Sequence, residues 1–185
     1  GDWSSDVCSS DLYISKHGTW PLYVPLYSGA GALFGWVTHT NVVGVSDLDG
    51  PMHWAKPARP ADVFYPAGFD GDLTMVGGEY VAPLAGQSVL TVAPGTDNAH
   101  VVFGNGNLPV TQDVLVTLTT ANAVVSTNLT LKITTPTGVF KGVFHRADNN
   151  ATVPFQGIIL QKQNFGAGYF LGNSESGYVT FEPAP

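Results

Sequence analysis

Leu129-Thr130-Leu131-Lys132-Ile133-Thr134, followed by Thr135-Pro136-Thr137-Gly138 and then Val139-Phe140-Lys141-Gly142-Val143-Phe144-His145, decides the fold. Leu129, Leu131 and Ile133 alternate with Thr130, Lys132 and Thr134, the period-two pattern of a strand with one buried face. The Thr-Pro-Thr-Gly stretch supplies turn chemistry. Phe140, Gly142 and Phe144 then share one face of a returning strand. Upstream, Val114, Val116 and Leu118 alternate with Leu115, Thr117 and Thr119, a strand covered on both sides or set at a curved edge. Turn signals recur along the chain at Ser28-Gly29, Asp49-Gly50-Pro51, Asp70-Gly71, Gly77-Gly78, Pro94-Gly95, Asn105-Gly106 and Asn149-Asn150. No window of a dozen residues carries helical apolar spacing free of Gly or Pro. These readings predict an all-β protein, an antiparallel meander wound into a closed or partly open barrel, with a two-sheet β-sandwich as the alternative.

Two glycine-rich stretches look alike. Gly29-Ala30-Gly31-Ala32-Leu33-Phe34-Gly35 matches Gly166-Ala167-Gly168-Tyr169-Phe170-Leu171-Gly172. Each follows a strand opening on a proline and an apolar residue, Pro21-Leu22 and Pro154-Phe155. The expectation is a pair of hairpins with the first glycines in the turn. They would lie in pseudo-repeated halves, about 13–56 and 110–182, facing each other around one core within a single domain, 13–185. Two strands precede the second copy and one the first, so the first half is expected to lack a strand or two, the chain being truncated at its N-terminus. Trp54–Asp72, with Pro57, Pro60 and Pro66, reads as an ordered connection across a barrel end, held by Trp54, Phe64, Tyr65 and Phe69.

Residues 2–12 resemble the in-frame translation of a short-read sequencing adapter, which sets residues 1–12 aside as an artefactual leader and points to a metagenomic source. Excluding them removes Asp2, Asp6, Asp11 and Cys8. Fourteen acids become eleven against seven bases, so the net charge moves from −7 to −4, and no cysteine remains. Charged residues make up 11% of the chain, against about 25% in an ordinary soluble domain, and Thr, Asn, Ser and Gly fill the difference. Seven scattered bases argue against a nucleic-acid partner. No apolar run reaches the ~18 residues of a membrane helix, and no membrane insertion is expected.

Candidate chemistry is sparse. Asp47-Leu48-Asp49-Gly50, with His53 nearby, echoes the start of a calcium loop. It lacks the closing glutamate, and a turn is the favoured reading, so Asp47 and Asp49 stand as weak metal candidates. His17, His39, His53, His100 and His145 are dispersed without zinc-ligand spacing. No nucleophile elbow, Walker loop or dinucleotide fingerprint occurs. Acids such as Asp70, Asp72 and Glu79 exist, but nothing in the sequence pairs them for glycoside hydrolysis. The aromatics of the first third stand out. Trp20, Tyr23, Trp36 and Trp54 are the candidate ligand-binding residues, able to stack on sugar rings if exposed and serving as core if buried.

Trp20–Tyr27, the Gly29–Trp36 hairpin, and Phe155–Asn164 running into Gly168–Gly172 together resemble the C-terminal β-rich regions of large secreted proteins of Verrucomicrobia and related bacteria. The resemblance implies a secreted or cell-surface setting beside other domains of a longer chain. The expected function is a non-catalytic extracellular or cell-surface module with a structural or adhesive role. The alternative is a module that binds glycan or a small apolar ligand. No cofactor is expected, and the expected partners are a glycan or another surface protein.

Overall fold

A computed structural model describes residues 14–185; the stretch read as a leader lies outside the described residues. The architecture is all-β, in two antiparallel sheets. The first is a four-stranded meander of β1 (Thr19–Leu26), β2 (Gly31–Val42), β3 (Ser46–Lys56) and β4 (Phe69–Gly77), in that spatial order. The second has eight strands: β5 (Ala99–Asn105), β6 (Gln112–Leu118), β7 (Val124–Val125), β8 (Leu129–Thr134), β9 (Val139–His145), β10 (Thr152–Leu160), β11 (Phe165–Leu171) and β12 (Ser176–Pro183). Their order is β7-β6-β5-β12-β11-β10-β9-β8, and a bridge between Ala123 and Lys132 brings the two ends together. This sheet is a nearly closed barrel.

The alternating stretches land where the pattern places them. Leu129, Leu131 and Ile133 point inward from β8, and Phe140 and Phe144 do so from β9. On β6, Val116 and Leu118 are buried while Leu115 faces solvent. Six phenylalanines fill the interior. Phe103 stacks on Phe144 with centroids 3.9 Å apart, and Phe155 and Phe170 meet them edge-on or tilted. Val89 and Leu90, from the segment before β5, cap the same cluster.

Several expectations are corrected. The buried cluster draws only on residues from Val89 to Phe181, so the four-stranded sheet does not share the barrel's interior. Asp49-Gly50-Pro51 is not a turn but lies within β3, and Asp70-Gly71 lies within β4. At Gly50 a Cβ would sit 1.8 Å from the Trp36 carbonyl oxygen, so glycine is there for close strand approach and not for a reversal. The connection across the sheet edge is correspondingly shorter, 57–68, because Phe69–Asp72 begins β4. The two hairpin turns differ: Tyr27, Ser28 and Gly29 all have positive φ, whereas Gln161–Gln163 is a 3₁₀ turn closed by Asn164 at φ 56°. Gly29 does lie in its turn, whereas Gly166 and Gly168 lie in strand β11.

The sheet leans on the barrel through side chains. Lys162 Nζ donates to the Ser46 carbonyl oxygen at 3.0 Å, to Asn41 Oδ1 at 2.7 Å and to the Asp47 carboxylate. At the other end Ser176 N donates to the Tyr65 hydroxyl, which also pairs with Ser176 Oγ at 2.9 Å.

Candidate functional site

Strand β1, Thr-Trp-Pro-Leu-Tyr-Val-Pro-Leu, alternates, and its prolines fit because β1 is an edge strand, paired on one side only by β2. Register then sorts the meander into two faces. Tyr23 lies opposite Phe34, Phe34 opposite His53, and His53 opposite Asp72, which forms one cross-strand row. Trp36, two residues from Phe34, joins that face beside Pro21. Tyr23, Phe34 and Trp36 are 63%, 43% and 56% exposed. Large aromatics at such exposure, side by side on a sheet, form an apolar patch of the kind that marks an interaction site.

The other face carries Trp20 opposite Val37, Leu33 opposite Trp54 and Met52 opposite Leu73. The four aromatics singled out from the sequence are therefore divided. Tyr23 and Trp36 share the outer face, while Trp20 and Trp54 turn away from it. Trp20's indole N–H is shut off from solvent with no partner, so this ring serves as packing and not as an open platform. Trp54 donates its indole N–H to the Tyr27 hydroxyl at 3.1 Å and packs edge-on against Phe69.

Beside the aromatic row stands a polar group that the sequence did not single out. His53 Nδ1 meets Asp72 Oδ1 at 2.7 Å, and its Nε2 meets Asp70 Oδ2 at 3.1 Å. Phe34 packs on the same imidazole, centroids 5.2 Å apart. Two carboxylates on two ring nitrogens fit best when both nitrogens carry protons. The hydrogen bond to Asp72, then that to Asp70, holds the His53 pKa above its ordinary value of 6.5. The signal was available: Asp70-Gly71-Asp72 is the period-two spacing that puts both acids on one face.

The metal candidates are engaged otherwise. Asp47 receives Lys162 and the Glu79 backbone N–H, and Asp49 Oδ2 accepts from Thr40 at 2.6 Å and Ser46 at 2.9 Å. These bonds hold both carboxylates below the usual range, the largest cause being Lys162 for Asp47 and Thr40 for Asp49. His53 turns to Asp70 and Asp72 instead of joining them. Among the described residues no three His, Cys, Asp or Glu side chains gather to hold a metal.

The raised His53 pKa carries a sign. A group whose folded pKa lies above its unfolded value adds stability below the unfolded value, and loses it as pH rises through the folded one. The strap between β3 and β4 is thus expected to contribute most below pH 6.5 and to weaken as pH rises through the raised His53 pKa. Amide hydrogen exchange along β4, measured from pH 6 to pH 9 and corrected for intrinsic rates, checks this. Faster opening at high pH in the parent chain, absent in His53→Gln, is the expected result; equal pH dependence in both would refute it.

The described residues thus define an all-β barrel module with an open, aromatic sheet face set on its side. No protein-family model, curated protein or solved structure matches this chain.

Proposed function

We propose that this chain is a non-catalytic, extracellular or cell-surface binding module of a larger secreted bacterial protein, and that its adhesive surface is the outer face of β1–β4, which docks carbohydrate. The observation that carries the reading is the row Tyr23–Phe34 with Trp36, exposed on one face and bordered by Asp70 and Asp72. A pyranose ring offers an apolar C–H face and a rim of hydroxyls. Aromatic rings match the first, and exposed carboxylates accept hydrogen bonds from the second. Asp70 and Asp72 are 72% and 91% exposed on an open sheet, held by the same histidine. That arrangement suits recognition better than hydrolysis, which sets two acids across a cleft. The reading also takes the two hairpins as copies of one ancestral unit, since each joins its strands through four residues, 27–30 and 161–164.

Affinity electrophoresis through gels containing soluble β-glucan, xylan or chitosan tests the proposal. Retardation by at least one polysaccharide is expected. Trp36→Ala and Tyr23→Ala should each weaken it about tenfold, as loss of a binding hot spot does. Leu115→Ala, exposed on the barrel wall, should change nothing. No retardation in any gel across a full glycan array, or retardation indifferent to both aromatic substitutions, would end this reading.

A further inference from the structure

Beyond the outer face, we infer that the cleft between the four-stranded sheet and the barrel wall is a second binding site, for an uncharged, ring-bearing apolar molecule with one hydrogen-bond acceptor. The cleft encloses about 640 Å³, within the ~300–1,000 Å³ of small-molecule sites. Tyr27, Trp54, Phe64, Tyr65 and Phe69 form one wall, and Tyr169 and Leu171 of β11 the other. It lies on the side of the sheet away from Tyr23 and Trp36, so the two sites are separate.

Three observations argue for a built site over a packing gap. The first is backbone conformation. Among the described residues, ten other than glycine have positive φ, and seven are Asn or Asp, which tolerate it. Of the remaining three, the two bulky ones are Tyr27 at φ 54° and Tyr65 at φ 51°, and both line this cleft. Tyr27 takes it in the β1–β2 turn, with Ser28 and Gly29, and Tyr65 in the 57–68 connection; bulky residues in that region are outliers of the kind that gather at functional sites. The second is rigidity. Trp54 is tied to the Tyr27 hydroxyl and Tyr65 to Ser176, while Phe69 sits edge-on between Trp54 and Tyr65. The cage is therefore preorganised, which limits the ordering entropy lost on binding.

The third is charge and hydrogen-bond accounting, which selects the ligand. One cation beside the cage, Lys56, lies 5.2 Å from the Tyr27 ring centroid. It is neutralised by Asp62 at 2.8 Å and also donates to the Tyr65 carbonyl. Arg59, the other cation here, donates to the Tyr27 carbonyl at 3.1 Å and lies 3.7 Å from the same Asp62, its side chain 43% exposed. With Lys56 paired and Arg59 hydrated, the apolar cage favours an uncharged ligand. The Tyr65 hydroxyl is engaged twice by Ser176. The Tyr27 hydroxyl accepts from Trp54 and the Tyr169 hydroxyl accepts from Gln156, so each retains its own proton and the cleft keeps hydroxyl donors for an acceptor on the ligand. A flat molecule bearing one carbonyl or ether oxygen matches that set.

The test uses two neutral naphthalene fluorophores, Prodan, which has a ketone, and N-phenyl-1-naphthylamine, which has no such acceptor. Saturable one-to-one binding of both, with blue-shifted emission, is expected. Leu171→Asp places a carboxylate on an exposed part of the wall and should weaken both by about tenfold or more. Tyr27→Phe should weaken Prodan about fivefold and leave N-phenyl-1-naphthylamine unchanged. Leu115→Asp, on the barrel away from the cleft, and Trp36→Ala, on the sugar face, should bind as the parent does; circular dichroism confirms each variant's fold. Non-saturable uptake, or equal losses in Leu115→Asp and Leu171→Asp, would overturn the inference. So would a loss in Trp36→Ala, whereas failure of polysaccharide binding alone leaves it standing.

Discussion

Phe144→Ala is expected to destabilise the barrel by about 3–5 kcal/mol, the range for truncating a buried phenylalanine. Phe144 is 1% exposed and stands at the centre of the aromatic cluster, stacked on Phe103 and met by Phe155 and Phe170. These partners come from β5, β10 and β11, so the ring ties strands far apart in sequence. Closure limits relaxation: the neighbours are held in hydrogen-bonded ladders on both sides and cannot collapse into the void. Leu115→Ala, on the outer surface of β6, which pairs with Phe103's strand β5, is the reference and should stay within about 0.5 kcal/mol of the parent. Urea unfolding followed by far-ultraviolet circular dichroism measures both. A Phe144→Ala midpoint no lower than that of Leu115→Ala would show that the interior is not what closes this sheet.

The alternating strands of the barrel were legible because one buried face imposes period two on each of them. Leu129–Thr134 and Val139–His145 read correctly to the residue. Strands carrying Gly and Pro did not. Asp49-Gly50-Pro51 has turn chemistry, yet it continues through β3, where Gly50 lets the Trp36 carbonyl approach. The ladder to β2 pairs Gly35 with Met52 and resumes in the same register at Thr38 with Asp49, so Pro51, which has no N–H to donate, falls in an unpaired gap of a continuing strand; the register shift comes later, between His39 and Val42. A local pattern cannot distinguish a residue that reverses the chain from one that lets a neighbour come close. The shared interior expected for the two halves failed for a related reason. Alternation says that a strand has an apolar face, but not which element covers it.

For the site, the aromatics were legible by type and not by side. Period two separates Trp20 from Tyr23, three positions apart in one strand, but it does not say which of the two faces another element covers. Asp70 and Asp72 were passed over because each looked like a loop acid. Their meaning depends on His53, seventeen and nineteen residues earlier, across a pairing that only register reveals. Trp54, Phe64, Tyr65 and Phe69 were legible as aromatics holding an ordered connection, but the cleft they line was not, since positive φ at Tyr27 and Tyr65 does not follow from local preference.

Glycines facing the barrel's rings should divide into two kinds, and alanine substitution should tell them apart. At Gly142 an added Cβ would lie 1.9 Å from the Thr130 carbonyl oxygen and 2.8 Å from the tip of the Phe155 ring. Thr130 belongs to β8, which pairs with β9 through Leu131–Gly142 and Thr130–Val143, so the clash is with the ladder itself. At Gly166 the nearest atoms all belong to side chains: Phe140 Cε1 at 2.9 Å, Phe181 Cβ at 3.2 Å and Ile159 Cδ1 at 3.3 Å. Overpacking of either kind costs about 1–3 kcal/mol. Only the second can be relieved by trimming a ring. Gly166→Ala combined with Phe140→Leu is therefore expected to be less damaging than the two effects added, with a favourable coupling of about 1 kcal/mol. Gly142→Ala with Phe155→Leu should show none, because the carbonyl remains in place. Urea midpoints for the two double-mutant cycles decide the matter. Equal rescue in both would mean that the β8–β9 ladder yields as easily as a side chain, and that the phenylalanine rings, not the strand backbones, set the width of this barrel.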